Sequence, residues 1–298
     1  MYTSIKGTEE YLFDDALLYH YIEDEARRIF ALYNYSEVIL PVLENIKVFL
    51  RGVGDTADIV TKQMYRIHQK EEIVLRPEGT SQVVRSFIQN GLDARKEFVK
   101  FFYIAPMFRG ENPQKGRLRE FHHIGVESLG SNSPAIDAEM LVLGYTFLTR
   151  QLHITDFSLC INSLGCANDK KRFSEIIHRR LDARKKDLCE ICQNRLTANP
   201  LRALDCKNPA CKEIITALAI STDDYLCNAC KDNFSRVLSL LDVQQVPYTV
   251  KNTLVRGLDY YTGIVFEFTT TKLGSQDALG AGGRYDGLVS MMEGQATP

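Results

Sequence analysis

The chain has 298 residues, of which 45% are hydrophobic and 25% charged, with a net charge of −2. These values fit one large globular domain or two modest ones and exclude a highly charged disordered chain. No apolar run approaches the ~18 residues that cross a bilayer, and the opening MYTSIKGTEEYLFDD lacks the layout of a secretory signal. A cytoplasmic protein with no membrane partner is expected, and any contact with RNA must rest on local patches.

From Asp14 to Tyr33, apolar residues Leu17, Leu18, Tyr21, Ile22, Ile29, Phe30 and Tyr33 recur at helical spacing. Glu37–Leu43 (EVILPVL) then reads as a strand broken by Pro41, which belongs at an edge or bend. A short strand is expected from Glu72 to Arg76, with Pro77 holding Arg76 extended. Thr80 or Ser81 can cap a helix that runs to about Asn90 and stops at Gly91. Glu78 thus falls at a strand-to-helix junction, where its carboxylate can serve a ligand or the helix N-terminus.

The segment Phe101–Gly130 (FFYIAPMFRGENPQKGRLREFHHIGVESLG) reads as two strands joined by a polar loop, Glu111 to Arg119. Alternation places Arg119, Phe121, His123, Gly125 and Glu127 on one face of the second strand. His122, Ile124 and Val126 share the other face, which suits a core. The first face combines a cation, an aromatic plate, an imidazole, a gap and a carboxylate, and Arg109 closes the preceding strand beside it. Such a face is costly to bury without a polar ligand, so it reads either as a small-molecule site or as a solvated sheet surface.

Six of the eight cysteines crowd the segment 189–230, where CEIC (Cys189–Cys192) and CNAC (Cys227–Cys230) form two CxxC pairs. In a reducing compartment such pairs favour metal over disulfides. Cys189, Cys192, Cys227 and Cys230 are the expected ligands of a closed structural zinc site, with Cys206 and Cys211 as competitors and reduced thiols as the alternative. The preceding stretch Asp169–Lys186 is a basic helix that suits either solvent or an RNA backbone.

Three stretches carry a family resemblance. FRGENPQKGRLREFHHIGVE resembles motif 2 of class II aminoacyl-tRNA synthetases in its histidyl-tRNA synthetase version. Leu254–Glu267 (LVRGLDYYTGIVFE) and Gly280–Leu288 (GAGGRYDGL) resemble the two histidine-specific motifs of that family, and the 14–43 region resembles motif 1, whose usual role is a homodimer interface. The resemblance implies a histidine–tRNA ligase, which joins L-histidine to ATP as an adenylate and then transfers it to the histidine tRNA. In that role Arg109 and Arg256 grip the α-phosphate and the amino-acid carboxylate, because bringing two anions together needs fixed cations. The resemblance gives Glu78 and Thr80 to the histidine ammonium, and His123, Glu127, Tyr260 and Tyr261 to the imidazole pocket. It sets Phe121 against adenine, with Glu111 on the adenine amino group; Arg117 and Arg119 can reach the outer phosphates, where Mg²⁺ is expected, or the tRNA end, or remain solvated loop charges. Where the family usually has glutamine, this chain has His123; an imidazole donates one hydrogen bond and accepts one. Gly280, Gly282 and Gly283 either let backbone approach the substrate or form a turn with no ligand.

The fold expected is α+β, an antiparallel sheet flanked by helices, with a mainly helical insertion. The catalytic core would occupy 1–165 and 247–298 and the insertion 166–246. No Gly-rich motif 3 follows Gly287 and no anticodon-binding domain is expected, so the chain reads as a fragment with impaired activity. The competing reading is a catalytically silent, histidine-sensing regulatory subunit of ATP phosphoribosyltransferase, which would not need the ATP-facing arginines.

Overall fold

The computed structural model describes residues 2–54, 58–68, 72–114, 116–273 and 278–298. Helix α1 (Asp14–Leu32) follows the spacing of its apolar residues, but only its C-terminal half is covered. Ala26, Ile29 and Phe30 bury against Phe102 and Leu143, whereas Leu17, Leu18 and Tyr21 are exposed. The strand expected over 37–43 does not run through. β1 (Ser36–Glu37) pairs in parallel with β5 (Val99–Phe108), and after Pro41 the chain enters a different sheet as β2 (Leu43–Asn45). Proline has no N–H to give a ladder. Arg76 answers the exposed carbonyls instead, donating from Nη1 to the oxygens of Leu40 at 2.7 Å and Pro41 at 3.3 Å.

β2 pairs with β4 (Glu72–Leu75), which also pairs with β3 (Arg66–His68), both antiparallel. Helices α2 (Ile46–Val53), α3 (Asp58–Thr61) and α4 (Thr80–Gln89) pack beside this small sheet, burying Phe49, Val53, Val83, Val84 and Phe87. α4 ends as expected: Asn90 closes it, and Gly91 takes φ +67°. Its start differs from expectation. Neither Thr80 nor Ser81 caps it; Gly79 holds the cap position, and the Glu78 carboxylate accepts from Ser81 N at 3.0 Å. The Thr80 hydroxyl is spent elsewhere, on Glu127 at 2.7 Å.

The long hairpin of β5 and β6 (Glu120–Leu129) carries the candidate site. Its register sets Met107 opposite Phe121, Ala105 opposite His123, Tyr103 opposite Gly125 and Phe101 opposite Glu127. The other face, Ile104, Ile124 and Val126, packs beneath α1 and α5 (Pro134–Thr146), as the alternation predicts.

A third sheet has the order β10–β9–β7–β8. It comprises β7 (Ser158–Ser163), β8 (Thr249–Val250), β9 (Thr262–Thr269) and β10 (Ala278–Arg284), and only the β7–β8 pair is parallel. Between β7 and β8 the chain is helical: α6 (Ala167–Asp182), α7 (Glu190–Ala198), α8 (Pro209–Ala217) and α9 (Asn228–Val243), joined by short 3₁₀ turns. The last of these is not peripheral, since Phe234, Val237 and Leu241 of α9 share a core with Leu141 of α5 and Ile161 and Phe268 of the sheet. α10 (Leu288–Met291) follows β10 and buries Leu288 and Val289. The architecture is α+β, with largely antiparallel sheets flanked by helices, and among the described residues no helix is long and apolar enough to cross a membrane.

Candidate active site

A cleft of about 1360 Å³ opens between the β5–β6 hairpin, the 253–257 loop and the helical segment. Arg109, Glu111, Arg117, Phe121, His123 and Arg256 all line it. The two arginines come from positions 147 residues apart in sequence (256 − 109) and share one hollow.

Arg109 stands at the end of β5. Its Nε donates to the Pro77 carbonyl at 2.9 Å, and its guanidinium lies 5.0 Å from the centre of the Phe121 ring. That geometry suits cation–π contact, so one face of Phe121 already meets a cation. Burial pulls the Arg109 guanidinium down from its ordinary value, and the nearby Glu78 carboxylate opposes this. The loop after β5 is tied by its own polar groups. Arg117 forms an ion pair with the buried Glu111 carboxylate. Arg119, which lies just before β6, is held by the N-terminal segment, its N–H donating to Gly7 O at 2.7 Å and its Nε to Glu111 O at 3.1 Å.

In the 253–257 loop, Arg256 donates from Nη1 to Glu267 Oε1 at 2.6 Å. Glu267 belongs to β9, opposite Cys160 of β7. This carboxylate lies within a motif quoted above, but its role as the partner of Arg256 follows only from the loop folding back on its own strand. Further cations at the cleft, Arg195, Lys212 and Lys251, come from the helical segment and its return; scattered through the sequence, they gave no pattern to read.

Behind the cleft lies a buried polar cluster. Glu127 accepts from Thr80 Oγ1 at 2.7 Å and from the Tyr285 hydroxyl at 2.5 Å. Tyr260 packs edge-on against Tyr261 and Tyr285, with ring centres 4.7 and 5.8 Å away. Burial pushes the Glu127 carboxyl up to about 7; the Tyr285 and Thr80 hydroxyls oppose the rise, and the Glu78 carboxyl adds to it. Burial likewise raises Glu78, against the hydrogen bonds of Ser81 and Thr80 and the charge of Arg109. Desolvation thus holds both carboxyls above their ordinary range, and Glu78 already faces the charge of Arg109.

Tyr103, which no sequence pattern singles out, also shapes this cluster. A Cβ added at Gly125 would stand 2.2 Å from its Cζ, and one at Gly79 2.3 Å. The gap seen in the β6 pattern is therefore the seat of the Tyr103 ring. A tyrosine inside an apolar strand looks like core, so only its position opposite Gly125 reveals the fit.

His123 bridges the two groups of residues. It lines the cleft, its ring is 5.6 Å from Tyr103 and 6.4 Å from Phe121, and its buried Nδ1 has no hydrogen-bond partner. Burial, reinforced by Arg109, lowers it to about 4, so it is neutral at physiological pH. Gly282 and Gly283 meet protein rather than open space: their Cβ atoms would fall 2.7 Å from Phe266 Cζ and from Ile264 O. They let β10 lie close on β9 and on Tyr261.

The four cysteines expected as one zinc site are not brought together. Cys189 and Cys192 converge with Cys206 and Cys211, while Cys227 and Cys230 converge with Cys166 and Asp169. CxxC spacing fixes each pair locally, but which pairs meet is decided by helix packing.

Comparison with known proteins agrees with these features. The family model described as histidyl-tRNA synthetase matches residues 7–298. A histidine–tRNA ligase of Halothermothrix orenii is 46% identical over 98% of this chain and 70% of that protein. One of Geobacter metallireducens is 44% identical over 100% of this chain and 72% of its own length. Among solved structures, apo S. aureus histidyl-tRNA synthetase superposes with a TM-score of 0.77 at 30% identity, covering 100% of this chain and 70% of that one. With its fold, its motifs and its relatives in agreement, this chain belongs to the histidyl-tRNA synthetase family.

Proposed function

We propose that the chain carries the adenylate-forming site of a histidine–tRNA ligase. The observation that carries this reading is the convergence of Arg109 and Arg256 on one cleft beside Phe121. In the first step the histidine carboxylate attacks the α-phosphorus of ATP; a carboxyl–phosphate bond forms and pyrophosphate leaves with the electrons of the broken P–O bond. Two anions must meet and charge grows on the phosphate oxygens, so guanidinium forks on either side lower the barrier by position and charge. Neither arginine moves a proton. In the second step a terminal ribose hydroxyl of the histidine tRNA attacks the acyl carbon, the acyl–phosphate bond breaks, and AMP leaves with its electrons while its phosphate takes up the hydroxyl proton.

ATP enters as its Mg²⁺ complex. Mg²⁺ would sit on the outer phosphates of ATP, as it commonly does; Glu111 and Glu267 are each engaged by an arginine. Adenine stacks on the Phe121 face that Arg109 leaves open, with its amino group toward Glu111. Arg117 reaches the outer phosphates. Glu78 and Thr80 receive the histidine ammonium, and His123, Glu127, Tyr260 and Tyr261 enclose the imidazole. The unpartnered Nδ1 of His123 supports its assignment to a ligand-facing role. The cations Arg195 and Lys212 favour the helical segment 166–246 as an insertion that meets the tRNA acceptor end, between core segments 1–165 and 247–298.

A cytoplasmic homodimer completes the reading. Support for the dimer is the exposure, 57–90%, of Phe13, Leu17, Leu18 and Leu32 along α1 and of Ile39 after β1. Structural zinc in the helical segment belongs to the same reading, and its ligands are developed below.

Histidine-dependent exchange of pyrophosphate into ATP tests the proposal. Exchange that requires histidine and is lost in Arg256→Ala supports it. Histidine binding with no exchange would favour the sensor alternative.

A further inference from the structure

Three helices of the segment open in the same way. Cys166, Cys189 and Cys227 each occupy the position before the first turn of α6, α7 and α9, and three residues later stand Asp169, Cys192 and Cys230. Each Cys-x-x-(Cys/Asp) pair directs two ligand atoms to one point at a helix N-terminus, where the backbone dipole favours negative charge. The folding of the segment sorts these knuckles into two separate clusters.

In the first cluster the knuckle of α7 meets Cys206, which follows a 3₁₀ turn, and Cys211 of α8. All four sulfurs lie within 4.8 Å of one another, and Cys192, Cys206 and Cys211 are buried. Zn–S bonds of about 2.3 Å in a tetrahedron require sulfurs about 3.8 Å apart, and the Cys189 and Cys206 sulfurs are 3.8 Å apart. That separation is far too long for a disulfide, whose sulfurs stand about 2.05 Å apart. The Cys189 N–H points at the Cys211 sulfur at 3.2 Å, a bond that favours thiolate.

In the second cluster the α6 and α9 knuckles face each other reciprocally. The Cys166 N–H points at the Cys230 sulfur at 3.3 Å, and the Cys227 N–H at Asp169 Oδ1 at 3.1 Å. Asp169 is 1% exposed, and its second oxygen, Oδ2, has no hydrogen-bond partner. An unanswered carboxylate oxygen in the interior costs several kcal/mol unless a cation meets it. Gly165, at φ +68°, makes room for this group: a Cβ there would stand 2.5 Å from Oδ2.

We propose that the chain holds two structural zinc ions, one bound by Cys189, Cys192, Cys206 and Cys211 and the other by Cys166, Asp169, Cys227 and Cys230. The first closes the α7–α8 hairpin. The second staples both ends of the helical segment to the sheet, next to the active site. The Gly165 carbonyl accepts from Gly263 N at 2.7 Å at the start of β9, Leu164 N donates to the Gly263 carbonyl at 2.6 Å, and Lys170, one residue past Asp169, donates to the carbonyls of Asp259 and Tyr261 at 2.6 and 2.7 Å.

Metal analysis by mass spectrometry of the protein purified without chelator, or refolded with Zn²⁺, tests this. Two zinc ions per chain are expected, falling to one in Cys206→Ser and to one in Asp169→Asn. Replacement by ¹¹³Cd²⁺ in the unaltered protein should give two NMR resonances, the four-sulfur one downfield, so the outcome stands even if a variant fails to fold. In Asp169→Asn only the second resonance should vanish, with faster hydrogen exchange at Gly263. A single metal ion per chain, none after refolding with Zn²⁺, or Asp169→Asn retaining both ions with both resonances unmoved would overturn the two-centre assignment.

Discussion

Replacing Glu127 by glutamine should stabilise the protein at alkaline pH while weakening histidine binding. The folded state holds this carboxyl at about 7, against an ordinary value of 4.5, chiefly because it is buried. A carboxyl raised in the folded state contributes stability that is fully present below its unfolded value and is lost as pH rises through the folded one. The interval from 4.5 to about 7, at ~1.36 kcal/mol per pH unit, is worth about 3 kcal/mol. Glutamine carries no charge and can still accept from Thr80 or Tyr285, but its amide N–H₂ needs an acceptor of its own, so a net gain of ~1–3 kcal/mol is expected at pH 8. The gain should shrink to nothing near pH 5. Urea midpoints for both proteins at pH 5, 6, 7 and 8 read the difference, and titration calorimetry reads histidine binding. A variant less stable than the parent at pH 8, or a difference that ignores pH, would refute the burial argument. Unchanged histidine affinity would remove Glu127 from the pocket.

Arg256→Ala should lower pyrophosphate exchange by about 10²–10³-fold, the usual effect of removing one transition-state donor, read as kcat at saturating ATP. Glu267→Gln, which loosens the partner of Arg256, should lower exchange less and leave histidine binding intact by calorimetry. Gly125→Ala should cost ~1–3 kcal/mol, because the new methyl would meet the Tyr103 ring in a packed interior; a Tyr103→Phe background, which keeps the ring, should not relieve it, whereas Tyr103→Ala should. His123 should titrate well below 6.5, near 4, in an NMR pH series, and His123→Gln should leave the pH profile of exchange between 6 and 8 unchanged.

Local rules carried the β5–β6 hairpin far. Alternation alone separated the face of Phe121, His123 and Glu127 from that of Ile124 and Val126, because a pleat permits no other arrangement. The end of α4 at Gly91 was equally legible. Legibility failed where the outcome depended on distant partners. Pro41 was read as a bend, but the change of sheet it produces needs Arg76 to satisfy the carbonyls left behind. Leu17, Leu18 and Tyr21 have the spacing of a buried stripe, and spacing cannot say whether the cover comes from the same chain. For Glu78 local sequence allows a ligand or a helix cap; its bond to Ser81 shows the cap, and a carboxylate with two oxygens can serve both. Each CxxC knuckle was visible, whereas its partner was chosen by the packing of α6 against α9 and of α7 against α8.

The central claim is that two guanidinium groups close on one phosphate beside a pocket for imidazole. A crystal structure with a sulfamoyl analogue of histidyl-adenylate tests it most directly. Both Arg109 and Arg256 should lie within about 3 Å of the sulfamoyl oxygens, with adenine on the open face of Phe121 and imidazole toward Glu127. An analogue bound with Arg256 turned away from it, or seated outside this cleft, would contradict the account.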